Sequence, residues 1–385
     1  MVRRSGFASR WQNMSSNALH NITVRGFKSI AAVEKLPLRP INLLIGSNGS
    51  GKSNFIGVFA FLHELREGRL RDYVIRAGGA EKILYFGSKR TQKIEIRLSF
   101  QDGVNEYELI LSPTQDDGLY PFSETTFFRG DKSYTKPYDV RLAPREQGRE
   151  AGISNPQLER TPGWVRARLG SWRLYHMHDT SLSSTMRKTS RLDDNQFLRP
   201  DGSNLAAFLY YLQEKHATSY SLIRRTVQRV APFFDDFRLA PLRLKPDDIK
   251  LEWKHKNSDQ YFDAGSFSDG TLRFIALATL FLQPDEYLPS VILVDEPELG
   301  LHPYAIEMLA SLIRQASHTT QVIVSTQSSL LLDHFDPEDV LVANRVGGGT
   351  EITRIERAQL QEWLKEYSLG QLWEKNEFAG RPAAE

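Results

Sequence analysis

Residues Gly46-Ser47-Asn48-Gly49-Ser50-Gly51-Lys52-Ser53 fit the pattern G-x-x-x-x-G-K-[ST] in full. Glycines at this spacing let backbone N–H groups close around phosphate oxygens without Cβ interference, and a helix starting at the loop's end points its positive pole at the same charge. On that chemistry Asn48, Gly49, Ser50 and Gly51 form a cradle, Lys52 reaches the β- and γ-phosphates of ATP, and Ser53 offers a hydroxyl to Mg2+. The competing reading is a plain glycine-rich turn with a solvated lysine. The buried-strand signal before the loop and the helix signal after it favour the cradle.

Val291-Ile292-Leu293-Val294-Asp295-Glu296 is an apolar strand ending in two carboxylates. The carboxyl ends of strands are where open α/β sheets bind ligands. Asp295 there can hold magnesium, and Glu296 can orient the attacking water or take its proton. A solvated Asp-Glu turn leading into Pro297 is the bland alternative. Upstream, Ser266-Phe267-Ser268-Asp269-Gly270-Thr271 runs into an apolar helix. Ser268 and Asp269 are good helix caps, which explains the segment alone, and Ser268 with Gly270 also makes a helix N-terminus suited to an anion.

The order of phosphate loop, Ser-x-Gly segment and acidic pair resembles the ATP-binding-cassette ATPases. Asp295-Glu296-Pro297-Glu298-Leu299-Gly300-Leu301-His302-Pro303 is similar to their SMC/RecF-like branch. The resemblance implies an α/β P-loop NTPase fold: a mixed sheet with flanking helices, an antiparallel β subdomain and an inserted helical and loop lid. It further implies a head-to-tail homodimer in which Ser268 and Gly270 meet the γ-phosphate held by the other copy, with Gly300 and Leu301 in the loop that crosses the interface. Phe27 and Lys28 in Gly26-Phe27-Lys28-Ser29 occupy the place where such heads touch the nucleotide base. Two departures stand out. The family's switch histidine is Gln327 here, and glutamine cannot carry a proton at neutral pH, so slow turnover is expected. Asp269 adds negative charge where a small residue is common. Gln92 and Gln101 are the candidates for the family's Q-loop.

Elements must place these residues, and their boundaries follow from periodicity. A polar tail is expected over 1–19, then an ATPase lobe over 20–111 with strands at Asn21–Phe27 and Ile41–Ile45 and a hairpin turning at Gln101-Asp102-Gly103. An insertion or lid spans 112–235, loops first and then helices between Pro200 and Pro232; about 30 residues cannot hold the long coiled-coil arms of SMC proteins. A second lobe over 236–385 alternates helix Leu272–Leu282, strand Val291–Val294, helix Tyr304–Ser317 and strand Gln321–Val324, the pattern of a parallel sheet.

Composition narrows the class. The 385 residues carry 49 Lys plus Arg against 47 Asp plus Glu and no cysteine. That excludes disulfides and thiol chemistry, argues against a strong global field, and suits the cytoplasm. No secretory or membrane-spanning stretch is expected. Arg187-Lys188 with Arg191, and Arg224-Arg225 with Arg229, are the basic clusters that could meet DNA, although solvated faces look the same. His176-Met177-His178-Asp179 could bind a divalent metal, with simple strand alternation the cheaper explanation. His302 reads as a turn or interface residue rather than a metal ligand, since no second histidine sits at ligand spacing. Leu360, Trp363, Leu364 and Tyr367 recur at helical spacing, as core or as a partner-binding helix. With the phosphate loop and acidic pair, the resemblance implies an ATP-controlled clamp, and its stand-alone members imply work in DNA repair or anti-phage defence beside a separate nuclease or toxin effector. The alternative is a nucleotide-holding scaffold with little turnover. The appended nuclease of OLD-like proteins finds no room in the roughly 60 residues after Gln327.

Overall fold

The computed structural model describes residues 18–130 and 136–377, so the expected N-terminal tail falls outside them up to residue 17. The chain divides into two compact units, Met1–Arg173 with Asp336–Glu385, and Leu174–Phe335.

In the first unit, strands β1 (Leu19–Phe27) and β2 (Ile30–Pro37) lead to β3 (Ile41–Ile45), whose five residues are all buried. A run of apolar and β-branched residues with only Asn42 polar suits a strand covered on both faces. Asn42 is fully buried and is answered by the Arg39 backbone and by Arg354 Nη2 at 2.6 Å. The loop 46–51 then opens helix α1 (Lys52–Arg66), followed by helix α2 (Leu70–Ala77). Strands β4 (Ile94–Phe100), β5 (Asn105–Pro113), β6 (Leu119–Phe128) and β7 (Tyr138–Arg141) complete an antiparallel sheet in the order β2-β1-β4-β5-β6-β7. The hairpin turns at Gln101–Gly103 as the sequence implies.

The stretch from 112 onward reads in the sequence as an insertion of loops and then helices, and up to residue 173 it groups with this unit. Two carboxylates explain why. Glu124 of β6, buried, accepts from Tyr107 Oη and from the backbone N–H groups of Gly152 and Ile153. Glu150, also buried, accepts from the N–H groups of Leu70 and Arg71 at the start of α2. Buried carboxylates demand such partners, so they anchor a segment that has no helical or strand periodicity to announce it.

The end of the chain returns to the same unit. Val340–Val346 pairs parallel with β3 and turns through Gly347 and Gly348 into the antiparallel strand Gly349–Arg354. The helical spacing at 360–367 does not produce one helix. Short turns at Arg357–Leu360 and Trp363–Lys365 precede a helix at Leu369–Lys375 that Ser368 and Gln371 close with a reciprocal capping box.

The second unit holds the other expected alternation. Strand Val291–Asp295, helix Pro303–Ala316 and strand Gln321–Ser325 form a βαβ unit with parallel pairing. Helices Leu205–Lys215, Ala217–Val230 and Asp269–Leu282 join it, with two small three-stranded antiparallel sheets. Helix Asp269–Leu282 is buried from Leu272 to its end, as a sequence apolar but for Arg273 and Thr279 requires. Among the described residues, no helix is long and apolar enough to cross a membrane.

Candidate functional site

The phosphate loop lies in the first unit. Lys52 is 6% exposed, and its Nζ donates to Gly46 O at 2.6 Å and Ser47 O at 3.1 Å, so the ammonium is folded back over the loop. Helix α1 starts from Gly51 with no side-chain cap and no acidic residue in its first turn, which leaves its positive end suited to an anion. Ser50 Oγ is buried without a hydrogen-bond partner, and Asn48, Gly49 and Ser53 are exposed. An orphaned buried hydroxyl is rare, and inside a loop of this pattern it fits a phosphate oxygen.

The loop has supports that motif reading missed. Gly51 has φ +104°, and a Cβ there would sit 1.9 Å from Thr350 Oγ1, so no other residue fits. Thr350, 1% exposed, donates to Ser50 O at 2.8 Å and shares a 2.7 Å hydrogen bond with Ser29 Oγ, which in turn accepts from Asn54 Nδ2. The run Gly347-Gly348-Gly349 is the turn that delivers Thr350. Of the two residues expected near a base, Phe27 is fully buried with its ring 5.4 Å from Phe61, whereas Lys28 lines an open cleft with Asn54, Glu81 and Phe86. Burial holds the Lys28 ammonium below the usual lysine range. Gln92 is exposed, and Gln101 accepts from Asn105 Nδ2 in the hairpin turn.

The acidic pair lies in the second unit. Asp295 ends its strand beside His178, whose Nε2 is 3.9 Å from Asp295 Oδ2. Burial pushes the Asp295 carboxyl up, but the neighbouring His178 and Ser325, with His176, outweigh it and hold the carboxyl below its ordinary range. Glu296 has φ +40°, a left-handed backbone that costs a non-glycine residue on the order of 1–3 kcal/mol. Its N–H donates to Ser325 O at 2.8 Å, and Gln327 Nε2 donates to its carboxylate. The two sequence-marked residues therefore meet, and the amide at position 327 holds the carboxylate at 296.

Glu298 is the participant that the motif did not mark. It is 8% exposed, and its Oε1 accepts from Thr326 Oγ1 at 2.6 Å and from Gln327 N at 3.2 Å. Burial raises its pKa, and Oε2 is buried without a partner. Glu298 thereby fixes the turn that presents Gln327.

Ser268 caps its helix by accepting from Thr271 N at 3.2 Å. Gly270 has a packing reason: a Cβ there would lie 2.2 Å from Gly300 O, so the signature turn and the loop after the acidic pair approach too closely for any side chain. The charge on Asp269 is matched. Arg187, its side chain 5% exposed, donates to Asp269 Oδ1 at 2.8 Å and to the carbonyls of Phe267 and Ala264. Trp253 stacks on Phe267 at 4.6 Å and donates to Ser266 Oγ, a second brace for the turn. Of the basic clusters read as DNA candidates, Arg187 is thus consumed by this turn, Arg191 pairs with Asp193 and Arg224 with Asp236. His302 caps the helix Pro303–Ala316.

Comparison with known proteins extends this geometry. No curated protein matches the sequence. Among solved structures, the chain is similar to an SMC head bound to the C-winged helix domain of ScpA, at 17% identity over 90% of this chain and 99% of that one, with a TM-score of 0.58. It is also similar to an SMC head domain with an extended coiled coil bound to the C-terminal domain of ScpA derived from Pyrococcus furiosus, at 15% identity over 90% of this chain and 98% of that one, with a TM-score of 0.51. The fold is therefore that of the SMC head domains. Residues 41–333 match the family described as "AAA domain, putative AbiEii toxin, Type IV TA system", and the chain belongs to that family, as a nucleotide-binding domain of the ATPase type.

Proposed function

We propose that this protein binds ATP with magnesium and hydrolyses it slowly at a head-to-tail homodimer interface, as a conformational switch read by a partner effector in DNA repair or anti-phage defence. The observation that carries the hydrolytic part is Glu296: a carboxylate at a strand's carboxyl end, on a strained backbone, held by the Gln327 amide. Strain of this kind persists only where surrounding contacts enforce it, and it concentrates at working sites. Lys52 with the N–H groups of the loop binds the β- and γ-phosphates, and Ser50 Oγ is the spare donor in that cradle. Ser53 on the loop and Asp295 at its strand end are each an oxygen that would hold magnesium, which would supply neutralisation of phosphate charge. Glu296 accepts the proton of the attacking water, and Gln327 positions Glu296 without taking part in proton transfer.

Support for a partner is indirect. The matched family's description names a toxin and a toxin–antitoxin system, and the SMC heads of similar fold were solved with ScpA domains bound. Ser268 at an exposed, capped helix start, kept neutral overall by the Arg187–Asp269 pair, is the group offered to the other copy's γ-phosphate. The second reading, a scaffold that holds ATP, is favoured by the glutamine at position 327. Steady-state turnover separates the two. Glu296→Gln is expected to lose about 10²- to 10⁴-fold in kcat while still binding ATP; equal rates for wild type and variant would leave the scaffold reading.

A further inference from the structure

Three side chains in the second unit converge in a way that ATP chemistry alone does not require. The imidazoles of His176 and His178 and the carboxylate of Asp295 bring their ligand atoms within 4.8 Å of one another, and the two rings lie 6.2 Å apart between centroids. Strand-like alternation produces this: Tyr175 and Met177 are 1% and 3% exposed and face the core, so the residues between and after them both face outward.

The segment is also clamped. His176 N donates to Pro200 O at 3.0 Å. Arg273, itself 6% exposed, donates from Nε to Met177 O at 2.9 Å and from Nη2 to His178 O at 2.8 Å, and its Nη1 donates to Leu299 O. One guanidinium therefore fixes both the backbone carrying the imidazoles and the loop that follows the acidic pair. The neighbouring Asp179 is spent elsewhere, accepting from Ser181 N and Oγ.

We propose that His176, His178 and Asp295 bind a borderline first-row divalent cation, of which Zn2+ is the probe. Magnesium prefers oxygen ligands throughout, whereas two imidazoles and one carboxylate suit the borderline ions, with open positions left for water. Zinc–ligand bonds of about 2.0–2.2 Å put neighbouring ligand atoms about 3.3 Å apart. The separation of 3.9 Å between His178 Nε2 and Asp295 Oδ2 closes to that by side-chain rotation on the clamped backbone. The site stands without any turnover, but it shares Asp295 with the proposed function, and an Asp295 committed to this cation is unavailable to magnesium. Zinc is thereby expected to act as an inhibitor.

The test uses the full chain without a polyhistidine tag and without nucleotide, titrated with ZnCl2 by calorimetry. Saturation at one ion per chain with affinity on the order of micromolar or tighter is expected. His176→Ala with His178→Ala should weaken binding by more than about 100-fold, and Asp179→Asn should leave it unchanged. Both imidazoles are exposed, so the double variant is expected to keep its circular dichroism spectrum. Co2+ gives a readout that needs no variant: visible d–d absorption of a nitrogen-ligated ion, displaced by Zn2+. A wild type that takes up no zinc, or a double variant that takes it up equally, overturns the site. Zinc bound at one equivalent with magnesium–ATP turnover unaffected would support the cation site and count against Asp295 as the magnesium ligand.

Discussion

Gln327 stands where related heads are expected to place a histidine, and its amide reaches the Glu296 carboxylate. A hydrogen bond to a charged group contributes about 1.5–3 kcal/mol, so losing this one should matter chiefly for how well Glu296 is aimed. Gln327→Ala is therefore expected to lower kcat roughly tenfold to a hundredfold with KM for ATP little changed, measured by steady-state phosphate release. An unchanged kcat would show that Glu296 needs no such hold. Lys52 and Glu296 stand in motifs of fixed local spacing, whereas Gln327 is marked only by the resemblance, as the residue at the family's switch position. Thr350 is marked by neither: it supports Ser50 from 300 positions away, and nothing near Thr350 in the chain announces that contact. Glu298 was in plain sight beside the marked acidic pair, and what sets it apart is burial, with Oε1 satisfied by Thr326 and Gln327, which the sequence does not show.

At the level of elements, strands and helices flanking the motifs follow from periodicity: Ile41–Ile45, Asp269–Leu282, Val291–Asp295 and Gln321–Ser325 all form where apolar runs and caps place them. Two features do not follow from periodicity, for identifiable reasons. The region after 112 lacks period, but Glu124 and Glu150 tie it down through backbone N–H groups, a contact type with no sequence pattern. The apolar spacing at 360–367 has no cap of its own and yields only the short turns Arg357–Leu360 and Trp363–Lys365, whereas Ser368 and Gln371 cap a helix just beyond it. The signature turn depends on Arg187 more than on its ion pair. Asp269 is largely exposed, so Asp269→Asn should cost under about 1 kcal/mol. Arg187→Ala strands the carbonyls of Ala264 and Phe267 and should cost about 1–3 kcal/mol. Urea midpoints compare them, and equal losses would show that the turn stands on the ion pair alone.

Across the whole molecule, sequence order marked the fold but not the way the chain is shared out. Motif order led to a division at 235/236, whereas the compact units break at 173/174 and 335/336, because Asp336–Glu385 returns to the unit that holds the phosphate loop. That return carries Thr350 to the loop, a reason for the last 50 residues to matter to nucleotide binding. Thr350→Val should weaken ATP binding measured by calorimetry, by roughly tenfold if one hydrogen bond near 1.4 kcal/mol is lost. Unaltered affinity would assign Thr350 to folding alone.

The central claim is that the ATP cradled by one copy's Lys52 loop is sealed by the Ser268 turn of another. Light scattering of Glu296→Gln at saturating ATP and magnesium tests it most directly. The account predicts twice the chain mass, falling back to monomer when Ser268→Arg is added. A monomer under those conditions, with ATP bound, would contradict it.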